Sequence, residues 1–281
     1  MKTVVVTDST AYIPLDLRER LNIRMVPLSV VIGNETHREE VDINASEFYE
    51  KIRNERALPK TSQPALGDFV SMYEELSKEY DAVISIHLSS GISGTLAGAA
   101  QAGEMVDNVD VYTFDTEVSC MIQGFYVIRA AEMAQAGESA ERILEELNNM
   151  KKKTRAYFMV DNLDHLHRGG RLTGIERVIG SMLQVKPILH FENKVIVPFE
   201  KVRTRKKAMK RIADMLQEDA NNSKKVQATI IHANNEDNAI AWRDELAATM
   251  PNVEFVISYF GPVIGTHLGE GSMGPGWTIV D

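Results

Sequence analysis

Small hydroxyl residues gather at four places in this chain: Thr7-Asp8-Ser9-Thr10, Thr61-Ser62-Gln63-Pro64, the run Leu88-Ser89-Ser90-Gly91-Ile92-Ser93-Gly94-Thr95, and Asp115-Thr116. The third run has a definite chemical use. Its glycines permit a tight turn that presents backbone N–H groups, a following helix adds its positive end, and Ser90, Ser93 and Thr95 offer hydroxyl donors. Such a loop can receive an anion without a metal, although the same residues also serve as ordinary helix N-caps. A nucleotide-binding phosphate loop needs Lys after its last glycine, and here Thr95 follows Gly94. The Gly-x-Gly-x-x-Gly dinucleotide pattern is absent from the run, and the Gly-x-Ser-x-Gly nucleophile elbow fails at its final position. A hydrolase triad of Ser93, Asp115 and His267 remains open at this level.

Of seven histidines, His165 and His167 are two apart and share no helix face, and no His-Glu-x-x-His occurs, so metal ligation is not expected. His87, inside a predicted strand, reads as a structural histidine. His267 stands in GPVIGTHLGEGSMG, a glycine-dense stretch expected to form a loop in which the backbone approaches something closely. The remaining cluster is Asp161–Thr173 (DNLDHLHRGGRLT), where Arg168 and Arg171 flank a glycine pair, with its downstream neighbour, the basic run Val202–Lys207. There Arg203 precedes a helix whose cationic first turn opposes the helix dipole.

The elements that must position these residues follow from hydrophobic rhythm. Strands are expected at Thr3–Val6, Arg24–Ile32, Ala82–His87 and Val109–Phe114, alternating with helical patterns at Ala45–Arg53, Leu66–Lys78 and Gly94–Met105. That order predicts a parallel sheet with helices on both faces. A helix over Met121–Gln135 and another capped by Ser139 complete this half, and GNETHREE at 33–40 reads as an exposed turn or loop. The second half predicts an α+β unit: a strand at Ala156–Val160, a short helix at Gly174–Met182, and a hairpin of Pro187–Phe191 with Lys194–Pro198. After these come a helix from Arg205 to Gln217, a strand at Gln227–His232, a helix over Glu236–Ala248 and a strand at Val253–Tyr259. The expected division is 1–155 and 156–281.

The 281 residues carry 31 Lys+Arg and 40 Asp+Glu, a net charge of −9, with 44% apolar residues, which excludes disorder as the main state. One cysteine, Cys120, excludes an internal disulfide and cysteine-cluster metal sites and suits a reducing cytoplasm. No run of 18 uncharged apolar residues exists, so no transmembrane segment is expected, and the apolar run at the N-terminus is too short for an export signal. Residues 151–211 hold 16 basic and 5 acidic groups, a candidate surface for an anionic partner.

Taken together, the motifs resemble the DegV family of fatty-acid-binding proteins, which includes the binding subunit of bacterial fatty acid kinase. The matching segments are VVVTDST at 4–10, TSQPALGDF at 61–69, SIHLSSGISGT at 85–95, DHLHRGGRL at 164–172, KPIL at 186–189, KVRTRKKA at 201–208 and GPVIGTHLG at 261–269. The resemblance implies an N-terminal parallel-sheet α/β domain followed by a smaller α+β domain, with one long-chain fatty acid enclosed. It implies that hydroxyls of Thr61, with Ser62 beside it, and Ser93 hold the carboxylate with His267 close by, and that Arg203, with Arg171 in the same basic stretch, faces a kinase catalytic subunit. On this reading the chain binds lipid, needs no metal or other cofactor and catalyses nothing alone. Leu66, Leu96-Ala97-Gly98 and Glu270 depart from the usual family pattern, which bears on pocket shape and chain-length preference. Two other readings stand beside this one: a serine esterase using Ser93 and His267, and a regulatory or nucleic-acid-binding protein using residues 151–211.

Overall fold

A computed structural model describes residues 2–53, 57–161, 163–172 and 186–280. Four strands, β1 (Thr3–Asp8), β2 (Ile23–Val26), β6 (Ala82–His87) and β7 (Asp110–Asp115), form a wholly parallel sheet in the order β2-β1-β6-β7. Every residue of β1 and β6 is buried, as central strands covered on both faces require. Val4, Val6 and Val83 face α3 (Leu66–Leu76) and α4 (Thr95–Gly103). Val5, Ile84 and Ile86 belong to the core that also takes in α5 (Cys120–Gln135) and α6 (Ala140–Lys152). Within this sheet Asp8 and His87 are both sealed from solvent, with Asp8 Oδ2 2.9 Å from His87 Nδ1 and His87 Nε2 2.7 Å from Ser85 Oγ. Burial alone would raise the Asp8 pKa; the His87, Thr10 and Leu88 N–H bonds outweigh it and hold the group below its ordinary value. The set ties β1 to β6, the structural role expected of His87.

The second sheet is mixed and has six strands. It contains β8 (Thr154–Met159), β9 (Lys186–Glu192), β10 (Val195–Val202), β11 (Val226–His232), β12 (Val253–Tyr259) and β13 (Met273–Ile279), in the order β10-β9-β8-β13-β11-β12. One face packs on α8 (Arg205–Asn221) and α9 (Glu236–Ala247) through Ile212, Leu216, Ile230 and Trp242. The opposite face, with Ala156, Phe158, Leu189 and Ile231, joins the core of the first sheet, and α5 lies between the two. The cationic start of α8 is relieved by Thr204 Oγ1, which caps Lys207 N, and by Asp161, whose Oδ1 lies 3.3 Å from Arg205 Nη1. The helix expected at 174–182 lies outside the described residues.

Three expectations need correction. The strand expected over Arg24–Ile32 is two: Pro27, which has no N–H to give a ladder, separates β2 from β3 (Ser29–Ile32). β3 enters a small antiparallel sheet, β4-β3-β5, with β4 (Glu35–Arg38) and β5 (Lys60–Ser62), so the 33–40 segment is a hairpin strand turning at Gly33-Asn34. The Thr61-Ser62 segment is likewise an edge strand. The glycine-dense C-terminal stretch is not one loop but a helix, α10 (Pro262–Leu268), followed by the strand β13 at the heart of the second sheet. Its glycines do mark close approach: a methyl on Gly265 would strike the Tyr49 hydroxyl, and one on Gly274 would strike the β8 backbone.

The remaining surprise is Glu39, which belongs to a charged run and yet is completely buried. Its carboxyl accepts from Ser9 Oγ at 2.5 Å, Tyr12 Oη at 2.9 Å and the Val263 N–H at 2.8 Å, fixing the N-terminus of α10. Burial outweighs these donors and pushes the carboxyl up to about 8 from its ordinary 4.5. Folding therefore takes up a proton at this site between those two values, so its contribution to stability is full below 4.5 and is lost as the pH rises through about 8. Denaturant titrations across that range are expected to show stability falling with pH in the native chain, and the slope should flatten in Glu39→Gln; an unchanged slope would show that Glu39 does not carry it.

Candidate functional site

Between the two sheets lies a cavity of about 290 Å³. Its wall draws on Leu28, Leu88, Ile122, Phe158, Ile231 and Val263, which come from both halves of the chain. At one end the apolar lining gives way to Thr61, Ser62, Gln63, Ser93, Arg171 and His267. Thr61 is half-buried, and Ser62 and Gln63 are exposed, so this polar end is also the mouth.

Thr61 comes from β5 and His267 from α10, and Thr61 Oγ1 lies 2.9 Å from His267 Nε2 across 206 residues of sequence. The imidazole is mostly buried. Desolvation first, then the positive charge of Arg171 and the neighbouring His165, lowers its pKa to about 4, so it is neutral at physiological pH. Its Nδ1 is buried without a hydrogen-bond partner among the described residues, against Gly169, where any side chain would collide with the ring. When Nε2 carries the ring proton and donates to Thr61, the threonine hydroxyl keeps its own proton for an acceptor inside the cavity.

Ser93 reaches the cavity from the loop between β6 and α4, with its Oγ 2.8 Å from Thr95 Oγ1 and accepting from Thr95 N at 3.3 Å. Thr95 itself is fully buried and is not on the cavity wall, so it positions Ser93 rather than facing a ligand. The rest of the loop is anchored: Ser89 Oγ donates to Lys194 O at 2.6 Å, and Ser90 Oγ donates to Asp115 Oδ2 at 2.6 Å. Asp115 also pairs with Lys194 at 3.0 Å. These contacts dispose of the triad, because Asp115 holds the loop, His267 engages Thr61 and Ser93 engages Thr95. The three groups do not form a relay.

Arg171, expected at a partner-facing surface, lies on the cavity wall. Its Nη1 donates to Gly169 O at 2.7 Å and its Nε to Ile92 O at 3.2 Å, which fixes a cation beside His267. Arg203 is exposed and does not line the cavity. Sequence reasoning missed Gln63 as a lining residue and missed the support beneath α10, where Tyr49 Oη donates to Phe260 O at 2.8 Å. The available signal was the four-residue spacing of Gly261 and Gly265, whose bare backbones meet Tyr12 and Tyr49. Cys120 also lines the cavity, with its thiol pushed well above the ordinary range by burial. Among the described residues no group of three His, Cys, Asp or Glu side chains is placed to hold a metal ion, and no helix is long and apolar enough to cross a membrane.

Comparison with known proteins places this geometry in a family. The model of a family described as "Uncharacterised protein, DegV family" matches residues 2–279. Protein DegV of Bacillus subtilis (strain 168) is 59% identical over 278 residues, covering 99% of each chain. A crystal structure described as DegV, a fatty acid binding protein from Bacillus subtilis, superposes with a TM-score of 0.96 at 58% identity over 100% of both chains. The structure of a DegV family protein from Thermus thermophilus, described for its fatty acid binding, superposes with a TM-score of 0.93 at 34% identity, again over 100% of both chains. With the family match running through both sheets and every wall of the cavity, the chain belongs to the DegV family.

Proposed function

We propose that this protein binds one long-chain fatty acid, enclosing the tail between its two sheets and holding the carboxylate at Thr61, Ser93 and His267. The observation that carries the reading is a cavity apolar along most of its wall, with hydroxyls, an imidazole and a guanidinium gathered at its mouth. The two solved relatives described as binding fatty acids support it. Each buried methylene contributes roughly 0.8 kcal/mol, so a chain of about sixteen carbons supplies on the order of 12 kcal/mol before association and ordering costs. Affinity then resides in the tail. The head-group contacts orient the carboxylate, and a neutral imidazole with two hydroxyls does so without a tight buried ion pair.

We further read residues 1–155 and 156–281 as two units that close on the lipid, and the exposed mouth as the place where a kinase catalytic subunit reaches the carboxylate. Arg203 and the basic stretch around it supply the docking charge. Several cations of that stretch are already engaged within the chain, including Lys151 with Glu117 at 3.2 Å and Arg205 with Asp161 at 3.3 Å. That favours a shaped protein partner over a polyanion such as nucleic acid.

Organic extraction of the purified protein followed by mass spectrometry is expected to release a long-chain fatty acid in near-stoichiometric amount. No released acid, together with no uptake by the delipidated protein, would contradict the reading. Thr61→Ala and Ser93→Ala are each expected to weaken binding by about 1 kcal/mol, roughly fivefold, in a fluorescent fatty-acid displacement assay. Arg203→Ala is expected to leave that affinity unchanged and to slow acyl phosphate formation by an added kinase subunit. Equal loss of lipid binding in all three variants would remove the division between ligand and partner residues.

A further inference from the structure

We propose that Phe191 limits the acids this cavity accepts, as the wall that closes it off from a second, polar pocket. The inference rests on the fatty-acid reading above. The second pocket, of about 220 Å³, shares Ala156, Tyr157 and Phe191 with the main cavity. Strand register fixes where they meet. β8 runs through Met159 and Val160 towards α7 (Asp164–Arg168), which packs on α10, and Gly169 at the end of α7 abuts the His267 ring. Ala156, on β8, shares a row of the sheet with Phe191 and, beyond it, Ile196, which bridges to Leu172. Tyr157 is paired with His190, so the next step of the antiparallel ladder sets Phe191 beside Ala156 on the same face.

Of the three shared residues only Phe191 can act as a plug. Ala156 offers a methyl group. Tyr157 points to the other face of the sheet, where its ring packs on His190, Phe199 and Trp277 with centroids 5.9, 5.0 and 5.5 Å away. Phe191 is half-buried in the cavity wall, and its one ring contact among the described residues is Phe158 at 6.2 Å. Beyond it the lining changes character, to Lys151, Arg155, Lys194, Glu117 and the buried Tyr126 hydroxyl. A methyl terminus pushed past Phe191 would leave an apolar wall for a charged one. Acids that fit short of Phe191 keep every methylene buried, and longer ones do not.

Removal of the ring joins the two spaces and should admit longer tails and tails ending in a hydroxyl, which the polar lining can satisfy. Delipidated wild-type protein, Phe191→Ala and Phe191→Leu would each be equilibrated with equal amounts of hexadecanoic, icosanoic and ω-hydroxyhexadecanoic acids. The bound pool would be read by native mass spectrometry, with circular dichroism and Tm confirming the fold. The ratio of icosanoic and ω-hydroxy acid to hexadecanoic acid is expected to rise roughly tenfold in Phe191→Ala, for icosanoic acid through shelter of about two more methylenes and for the ω-hydroxy acid through the polar lining its hydroxyl reaches, and less in Phe191→Leu, which keeps apolar bulk. An unchanged profile in folded variants, or equal loss of all three acids, would overturn the proposal. Failure of the wild-type protein to bind any of the three would instead contradict the fatty-acid reading.

Discussion

The hydrogen bond between Thr61 and His267 joins two elements that have little stability of their own. β5 is three residues long, and α10 is seven, well short of a helix that persists in water by itself. Each is held from outside. β5 is zipped to β3, while α10 is fixed at its N-terminus by the buried carboxyl of Glu39 and along one flank by Tyr12 and Tyr49, against which Gly261 and Gly265 lie bare. Side chains from the first fifty residues thus set the position of a histidine near the C-terminus. The mouth of the cavity is where they converge.

The electrostatics of that mouth follow from burial. Desolvation keeps His267 neutral, and the Arg171 cation beside it pushes the same way. Arg171 is in turn held by the Gly169 and Ile92 carbonyls, so a positive charge is built into the wall, where no carboxylate lines the cavity among the described residues. An incoming carboxylate would meet a cation, a neutral ring and hydroxyl donors. That combination attracts an anion yet leaves its oxygens less tightly engaged than a buried ion pair would.

Much of this was legible in the sequence because the signals were local. The β-branched runs at 3–6 and 82–87 are strands, and the Ser139 cap, the helices at 66–76 and 120–135 and the parallel sheet followed from periodicity alone. Thr61, Ser93 and His267 were singled out by residue type and by resemblance, and the fold brings them to one mouth. What escaped was set by distant partners. Glu39 reads as surface charge until Ser9, Tyr12 and Val263 surround it, and β13 reads as loop because its glycines answer to β8 and Ile122 rather than to their neighbours. Asp115 looked like a triad acid because chain order says nothing about Ser90 and Lys194, the groups it actually binds. Arg171 looked like surface because its carbonyl partners lie two and 79 residues away.

The central claim is that a fatty acid lies with its carboxylate against Thr61, Ser93 and His267. Loading the delipidated protein with hexadecanoic acid labelled with carbon-13 at the carboxyl, and recording that carbon by NMR, addresses it directly. The account predicts one sharp bound resonance, displaced from that of the free acid, which moves in Thr61→Ala and Ser93→Ala and stays in place in Arg203→Ala. A bound carboxyl resonance indifferent to Thr61 and Ser93 would contradict it.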